Sequence, residues 1–138
     1  MTEYLCIVPA RGGSKRLPNK NILEIGGRPM ISYSIHAALE TDLFDKVYVA
    51  TDNKRIASTA REYGAVVPEM MPESLCGDEV PSHQPAQHLA KKLADEGSEY
   101  DIIVLLQPTS PLRIPADIEN GVETFRSEDY DFVLSVSH

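Results

Sequence analysis

Residues 4–21 read YLCIVPARGGSKRLPNKN, and this stretch decides how the chain folds. The apolar residues 5–8 are followed, after Pro9, Ala10 and Arg11, by two adjacent glycines, which predicts a short buried strand that ends in a Gly-rich loop. Within ten residues the loop carries four cations, Arg11, Lys15, Arg16 and Lys20. Ligands of α/β sheets bind at the carboxyl ends of the strands, where glycines let backbone N–H groups approach an anion. The stretch therefore predicts a polyphosphate site at the end of the first strand.

The rest of the chain alternates between strand and helix patterns. Apolar runs lie at residues 47–50, 65–67, 102–106 and 132–136, and amphipathic helical patterns lie between them. Pro29 suits the first turn of the first helix, and Gly64 and Gly97 suit the ends of the next two. Residues 68–85 show no period and are predicted to form a long loop. This alternation predicts an α/β fold of three layers, Rossmann-like, with a mostly parallel sheet flanked by helices.

Composition excludes several classes of protein. The 138 residues suit one domain, and 13 Lys and Arg against 21 Asp and Glu give a net charge of −8, which argues against a nucleic-acid partner. The apolar run 102–106 is far too short to span a membrane, and the N-terminus lacks the pattern of a signal peptide. Cys6 and Cys76 have no zinc spacing. A cytoplasmic location is expected.

The loop after the first strand differs from the two commonest nucleotide-binding fingerprints. The order Arg-Gly-Gly-Ser-Lys at residues 11–15 does not match the G-x-G-x-x-G pattern of dinucleotide-binding folds. No G-x-x-x-x-G-K-[ST] run occurs anywhere in the chain. A redox dinucleotide cofactor and a P-loop ATPase are therefore both poorly supported.

Two segments carry a resemblance to a known family. Residues 11–21, RGGSKRLPNKN, and residues 105–113, LLQPTSPLR, resemble the signature of the sugar nucleotidyltransferases, most closely the CMP-sialic acid synthetases (N-acylneuraminate cytidylyltransferases). Residues 71–78, MPESLCGD, match more weakly. The resemblance implies a nucleotidyltransferase fold, with residues 1–138 forming the nucleotide-binding part of a cytidylyltransferase domain that is truncated at its C-terminus. Members of the family form homodimers.

The implied reaction joins a sialic-type sugar acid to the cytidylyl group of CTP and releases pyrophosphate, with Mg²⁺ held mainly by ligands beyond this chain. Arg11 can bridge phosphate oxygens bidentately, and lysines act as point charges. The predicted nucleotide-binding residues are Ala10, Arg11, Gly12, Gly13, Ser14, Lys15, Lys20, Asn21 and Ser82, of which Arg11 and Lys20 are the predicted catalytic residues. By resemblance, Ser82 lies near the ribose and Gln107 contacts the sugar acid. No metal ligand is predicted within the chain.

Several interpretations stay open. Asp52 could contact a ribose or cap the following helix, and the cap is the expected role. Arg16 is expected to be a solvated cation. Met71 stands where the family usually has an arginine close to the cytosine, which puts the selectivity for CTP in doubt. The sugar acid could also be pseudaminic, legionaminic or an eight-carbon acid, although residues 12–15 argue against the last. A nucleotide-binding module without turnover is the alternative outside enzymes.

Overall fold

The computed structural model describes residues 4–12, 22–75, 77, 80, 83–97, 100, 102–106, 118–120, 122–123 and 133–135. In chain order the elements are β1 (Tyr4–Pro9), β2 (Glu24–Ile25), β3 (Arg28–Pro29), α1 (Met30–Glu40), β4 (Val47–Ala50), α2 (Lys54–Glu62), a short 3-10 helix (Glu73–Leu75), α3 (His83–Asp95), β5 (Ile102–Leu106) and β6 (Val133–Ser135). Residues 118–120 and 122–123 are also helical.

The main sheet has four strands in the order β4-β1-β5-β6, and all three pairings are parallel. The first strand of the chain therefore lies inside the sheet, with β4 on one side and β5 on the other. Val66 adds a parallel bridge to Tyr48 on the outer side of β4. The predicted apolar run 65–67 thus reaches the sheet through a single bridge instead of a full strand.

Helices cover both faces of this sheet. Along β1, Cys6 and Val8 are buried in a cluster with residues of α1 and α2, whereas Leu5 and Ile7 are buried in a second cluster with Leu89 and other residues of α3. Successive side chains of a strand point to opposite faces, so a strand buried on both faces is apolar throughout. This arrangement confirms the predicted three-layer α/β fold. Among the described residues, no helix combines the length and the apolar character needed to cross a membrane.

Glycines end the helices as predicted. Gly64 follows α2 with φ of 98°, and the N–H of Ala65 donates to the carbonyl oxygen of Ala60 over 3.0 Å. Gly97 follows α3 with φ of 99°. Because a residue with a Cβ is strained at such angles, both glycines allow the chain to turn back toward the next strand.

The segment before α1 differs from the prediction. Pro29 is the last residue of β3 and the N-cap of α1, so it precedes the first helical turn instead of lying within it. A hairpin that the sequence analysis missed joins β2 to β3 through Gly26 and Gly27, whose φ angles are 62° and 84°. A Gly-Gly pair at two positive φ angles is the usual signal of such a two-residue turn.

Two further expectations require correction. Leu39 is 40% exposed at the end of α1, although its spacing from Ile31 and Ile35 placed it on the apolar face. The predicted loop at 68–85 contains the 3-10 helix at Glu73–Leu75, and its last three residues belong to α3. Proline is tolerated in the first turn of a helix, so Pro85 does not delay the start of α3.

Candidate nucleotide site

The carboxyl ends of β1, β4 and β5 meet at one edge of the sheet, since these strands are parallel neighbours. After β1 the chain crosses to β4 on one side, and after α3 it enters β5 on the other side. The edge beside β1 is therefore a topological switch point, the place where open α/β sheets bind their ligands. Ala10, Arg11 and Gly12 leave β1 at this point.

The backbone of these three residues is held against the end of β4. The N–H of Ala10 donates to the carbonyl oxygen of Ala50 over 2.9 Å, which extends the β1–β4 ladder by one residue. The N–H of Gly12 donates to Oδ1 of Asp52 over 2.9 Å. Ala10 is buried, while Arg11 and Gly12 are half-buried. Arg11 thus lies between two anchored positions at the switch point.

Asp52 does not have the expected role of helix cap. The cap of α2 is Asn53, whose Oδ1 accepts hydrogen bonds from the N–H groups of Arg55 at 2.9 Å and Ile56 at 3.0 Å. Aspartate and asparagine are about equally good caps, so the sequence could not separate the two neighbours. Since α2 begins at Lys54, the residue directly before it performs the capping, and the Asp52 carboxylate contacts the Gly-rich segment instead.

Gly12 packs directly on Asn53. A Cβ at position 12 would lie 2.6 Å from both Cβ and Nδ2 of Asn53, so only glycine fits here. The N–H of Gly12, a residue predicted to bind the nucleotide, donates to Asp52 in this structure. The backbone at Gly12 therefore packs closely against another part of the protein, and that part is the turn after β4.

Met71 is buried in the core. Its exposed fraction is 4%, it packs in the cluster of α3 on one face of the sheet, and its N–H donates to the carbonyl oxygen of Thr51 over 2.8 Å. Because the Met71 side chain is apolar, its burial between the sheet and α3 is favourable. A methionine side chain cannot donate a hydrogen bond.

The other predicted site residues lie outside the residues that the structure describes. They are Gly13, Ser14, Lys15, Lys20, Asn21, Ser82 and Gln107. Gln107 directly follows β5 in the chain, and β5 is hydrogen-bonded to β1. Their assignments stay predictions.

A cavity of about 380 Å³ lies elsewhere, next to Tyr4 at the beginning of β1. This is the amino end of the strand, away from the switch point. The cavity is lined by Tyr4, Asp42, Leu43, Glu119, Val122 and Glu123. Three carboxylates disfavour a phosphate ligand there, so the cavity is not the nucleotide site.

Comparisons with known proteins agree with the fold. A family model described as cytidylyltransferase matches residues 5–138. The chain is 36% identical over 135 residues to a pseudaminic acid cytidylyltransferase of Campylobacter jejuni, covering 98% of this chain and 58% of that protein. It is 41% identical over 121 residues to a CMP-N,N'-diacetyllegionaminic acid synthase of Legionella pneumophila, covering 88% and 52%. An N-acylneuraminate cytidylyltransferase of Escherichia coli is 38% identical over 137 residues, covering 99% and 32%.

A solved structure extends the likeness to three dimensions. The structure of a CMP:2-keto-3-deoxy-manno-octonic acid synthetase complexed with CTP superposes with a TM-score of 0.75 and 29% identity, over 93% of this chain and 49% of that one. This chain therefore spans between a third and about three fifths of the length of the relatives named above. Its fold is that of the nucleotidyltransferases, and the chain belongs to the cytidylyltransferase family.

Proposed function

We propose that this chain is the nucleotide-binding part of an enzyme that transfers the cytidylyl group of CTP to a sialic-type sugar acid. A hydroxyl oxygen of the acid attacks the α-phosphorus and forms a new P–O bond. The bond from the α-phosphorus to the bridging oxygen of the β-phosphate breaks, and pyrophosphate leaves while the hydroxyl proton passes to a base. The observation that carries the proposal is the Arg11-Gly12 segment at the switch point of the sheet, anchored on both sides of Arg11.

The proposed role of Arg11 is to neutralise the triphosphate. Phosphoryl transfer needs positive charge on the transferred and leaving groups, and a guanidinium can contact two phosphate oxygens at once. In the same proposal Ala10, Gly12, Gly13, Ser14, Lys15 and Asn21 surround the phosphates, Lys20 assists Arg11 in catalysis, and Ser82 approaches the ribose. Gln107, which directly follows β5 in the chain, contacts the sugar acid, as the resemblance implies.

Mg²⁺ belongs to the proposal as a companion of the triphosphate. Such a cation takes most of its ligands from phosphate oxygens and water, with one or two carboxylates. Among the described residues, no group of three or more His, Cys, Asp or Glu side chains lies close enough together to hold a metal ion. A cytoplasmic location is part of the same proposal.

The acid itself is proposed as a class. Relatives of similar identity are named for pseudaminic, legionaminic and acylneuraminic acids, and these names support a sialic-type acid without separating the three. We place an acylneuraminate first, because residues 11–21 and 105–113 resemble the signature of that group. Backbone groups would have to select cytosine near position 71, since Met71 faces the core.

Calorimetry with CTP, UTP, ATP and GTP, each with and without Mg²⁺, tests the binding half of this proposal. We expect CTP to bind best, and Arg11→Ala to weaken CTP binding by about tenfold or more, since a charge-assisted bidentate contact is lost. Lys91→Ala is the control, because it removes a cation from an exposed position on α3. Equal affinity of the wild type and Arg11→Ala would refute the role of Arg11.

Pyrophosphate release tests the transfer half. The protein is incubated with CTP, Mg²⁺ and, in turn, acylneuraminic, pseudaminic, legionaminic and eight-carbon ulosonic acids. Release with one of the first three acids is the expected result. CTP binding without release for any acid would instead identify this chain as a nucleotide-binding module.

A further inference from the structure

Three consecutive residues after β4 hold three different segments of the candidate site. The carbonyl oxygen of Thr51 accepts the N–H of Met71 at 2.8 Å, the carboxylate of Asp52 accepts the N–H of Gly12 at 2.9 Å, and the amide of Asn53 caps α2. The loop that leads toward the 3-10 helix, the Gly-rich segment and the start of α2 are thus all fastened to one turn.

This turn is itself firmly built. Thr51 is fully buried, and its hydroxyl oxygen accepts the N–H of Asn53 at 3.1 Å. Hydroxyl-to-backbone bonds of this kind close a turn locally. Asn53 is in turn fixed by its two bonds to the first turn of α2. Asp52 therefore lies between two residues that are held by hydrogen bonds, Thr51 and Asn53. These bonds fix the backbone from which its carboxylate reaches Gly12.

Asp52 completes the support of Arg11. The residue before Arg11 is tied to β4 by a backbone bond, and the residue after it is tied by the Asp52 carboxylate. A hydrogen bond from an N–H to a carboxylate is stronger than one between neutral groups. Without it, Gly12 would keep its packing on Asn53 but lose the polar contact that fixes the orientation of its peptide group.

We propose that Asp52 is a positioning residue of the nucleotide site, which holds the N–H of Gly12 and thereby fixes the direction in which Arg11 leaves the sheet. The use of this position for a nucleotide rests on the function proposed above. The hydrogen bond between Gly12 and Asp52 stands on the structure alone, and the two statements are tested separately.

The test compares the wild type with Asp52→Ala, Asp52→Asn and Asp45→Asn. Asparagine keeps a side-chain oxygen that can accept the Gly12 N–H without the charge, and alanine removes the acceptor. Asp45 is an exposed aspartate before β4, so Asp45→Asn makes the same change of charge away from the site. Urea denaturation first establishes that each variant is folded.

The first readout is hydrogen exchange of single backbone amides, measured by NMR. We expect exchange at Gly12 to be faster by about tenfold in Asp52→Ala, faster by a smaller factor in Asp52→Asn and unchanged in Asp45→Asn, in line with the loss of one charge-assisted hydrogen bond. The N–H of Ala10 serves as an internal reference, since its acceptor is the backbone of Ala50. Unchanged exchange at Gly12 in Asp52→Ala overturns the inference.

The second readout is the affinity for CTP. We expect it to fall by about tenfold in Asp52→Ala, to recover partly in Asp52→Asn and to stay at the wild-type value in Asp45→Asn. Faster exchange at Gly12 with full CTP affinity overturns the positioning role. If the wild type binds no nucleotide, the proposed function fails, and the exchange of Gly12 still decides whether Asp52 positions this segment.

Discussion

Gly12 is the residue at which the segment after β1 meets the turn after β4. Its backbone N–H is bonded to Asp52, and the place of its missing side chain is occupied by Asn53. The φ angle of Gly12 is not the reason for glycine here; the reason is space. This separates Gly12 from Gly26 and Gly27, whose positive φ angles shape the β2–β3 turn.

Replacement of Gly12 by alanine is therefore expected to destabilise the protein. The new Cβ would lie 2.6 Å from Asn53, which forces the two segments apart at a cost of about 1–3 kcal/mol, the usual range for overpacking. Gly77→Ala is the matched control, because its Cβ would meet Val80 at an ordinary 3.8 Å. Urea denaturation of both variants measures the difference, and equal stability of the two would contradict the packing described here.

The sequence allowed Arg11 and Gly12 to be predicted as a loop after the first strand, because strand, glycine and cation are local signals. The bond between Asp52 and Gly12 joins residues 40 positions apart. No local pattern identifies such a pair, and Asp52 was assigned instead to a role that its immediate neighbour performs. The burial of Met71 was missed for a similar reason, since it depends on the packing of α3 against the sheet.

At the scale of elements, α2 depends on one side chain for its start. Asn53 satisfies two of the N–H groups that the first turn leaves without partners in the helix. The helix is only nine residues long, so its buried face of Ile56, Ala57 and Ala60 supplies most of its remaining support.

Asn53→Ala is expected to lower the free energy of unfolding by about 1 kcal/mol, the typical contribution of an N-cap. Asn53→Ser, which keeps a capping oxygen, should restore most of this loss. Urea denaturation of the three proteins gives the comparison. A serine variant as unstable as the alanine variant would show that the amide acts through its packing under Gly12 and not through the cap.

The strands and helices were more predictable than the connections between them. The runs 47–50 and 102–106 coincide with β4 and β5, because buried parallel strands are short, continuous and apolar. The β2–β3 hairpin was missed because its strands have two residues each, too few to show alternation. Leu39 was misplaced because α1 ends one residue later, where the helix has left the core.

At the scale of the whole molecule, the ionisation of Tyr48 makes the free energy of unfolding depend on pH in the alkaline range. Burial first, and then its hydrogen bond to Tyr100 and nearby negative charges, raise the pKa of Tyr48 to about 12 from its ordinary value of 10.0. Its side chain lies in the cluster between the sheet and α3. The folded state thus holds the phenolic proton more tightly than the unfolded chain does.

The sign of the effect follows from linkage. The contribution of Tyr48 is fully present below pH 10 and is lost as the pH rises toward 12, since the unfolded chain releases the proton first. We expect the urea midpoint to fall over this interval in the wild type and to fall less steeply in Tyr48→Phe, which has no proton to lose. Parallel pH profiles of the two proteins would be inconsistent with the raised pKa.

The overall architecture followed from the sequence because its signals repeat along the chain. Alternating strands and helices allow few arrangements other than a parallel sheet covered on both faces. The order β4-β1-β5-β6 could not be predicted in the same way. The strands are all short and mainly apolar, and their residues do not indicate which strand pairs with which. Strand order instead depends on how the helices pack against the two faces of the sheet, and this packing involves residues that are far apart in the sequence.

The interior place of β1 also affects how the protein is made. Of the four strands in the main sheet, β1 leaves the ribosome first, yet one of its two neighbours, which pairs through Tyr4 and Ile102, comes roughly 100 residues later. At synthesis rates of about 5–20 residues per second, the intervening stretch of roughly 100 residues takes about 5–20 seconds to appear. Once β4 has emerged, β1 can pair with it, but the other edge of β1 stays open and apolar until β5 appears. The nascent chain is therefore most exposed to association with other chains, and most in need of a chaperone, just before β5 emerges.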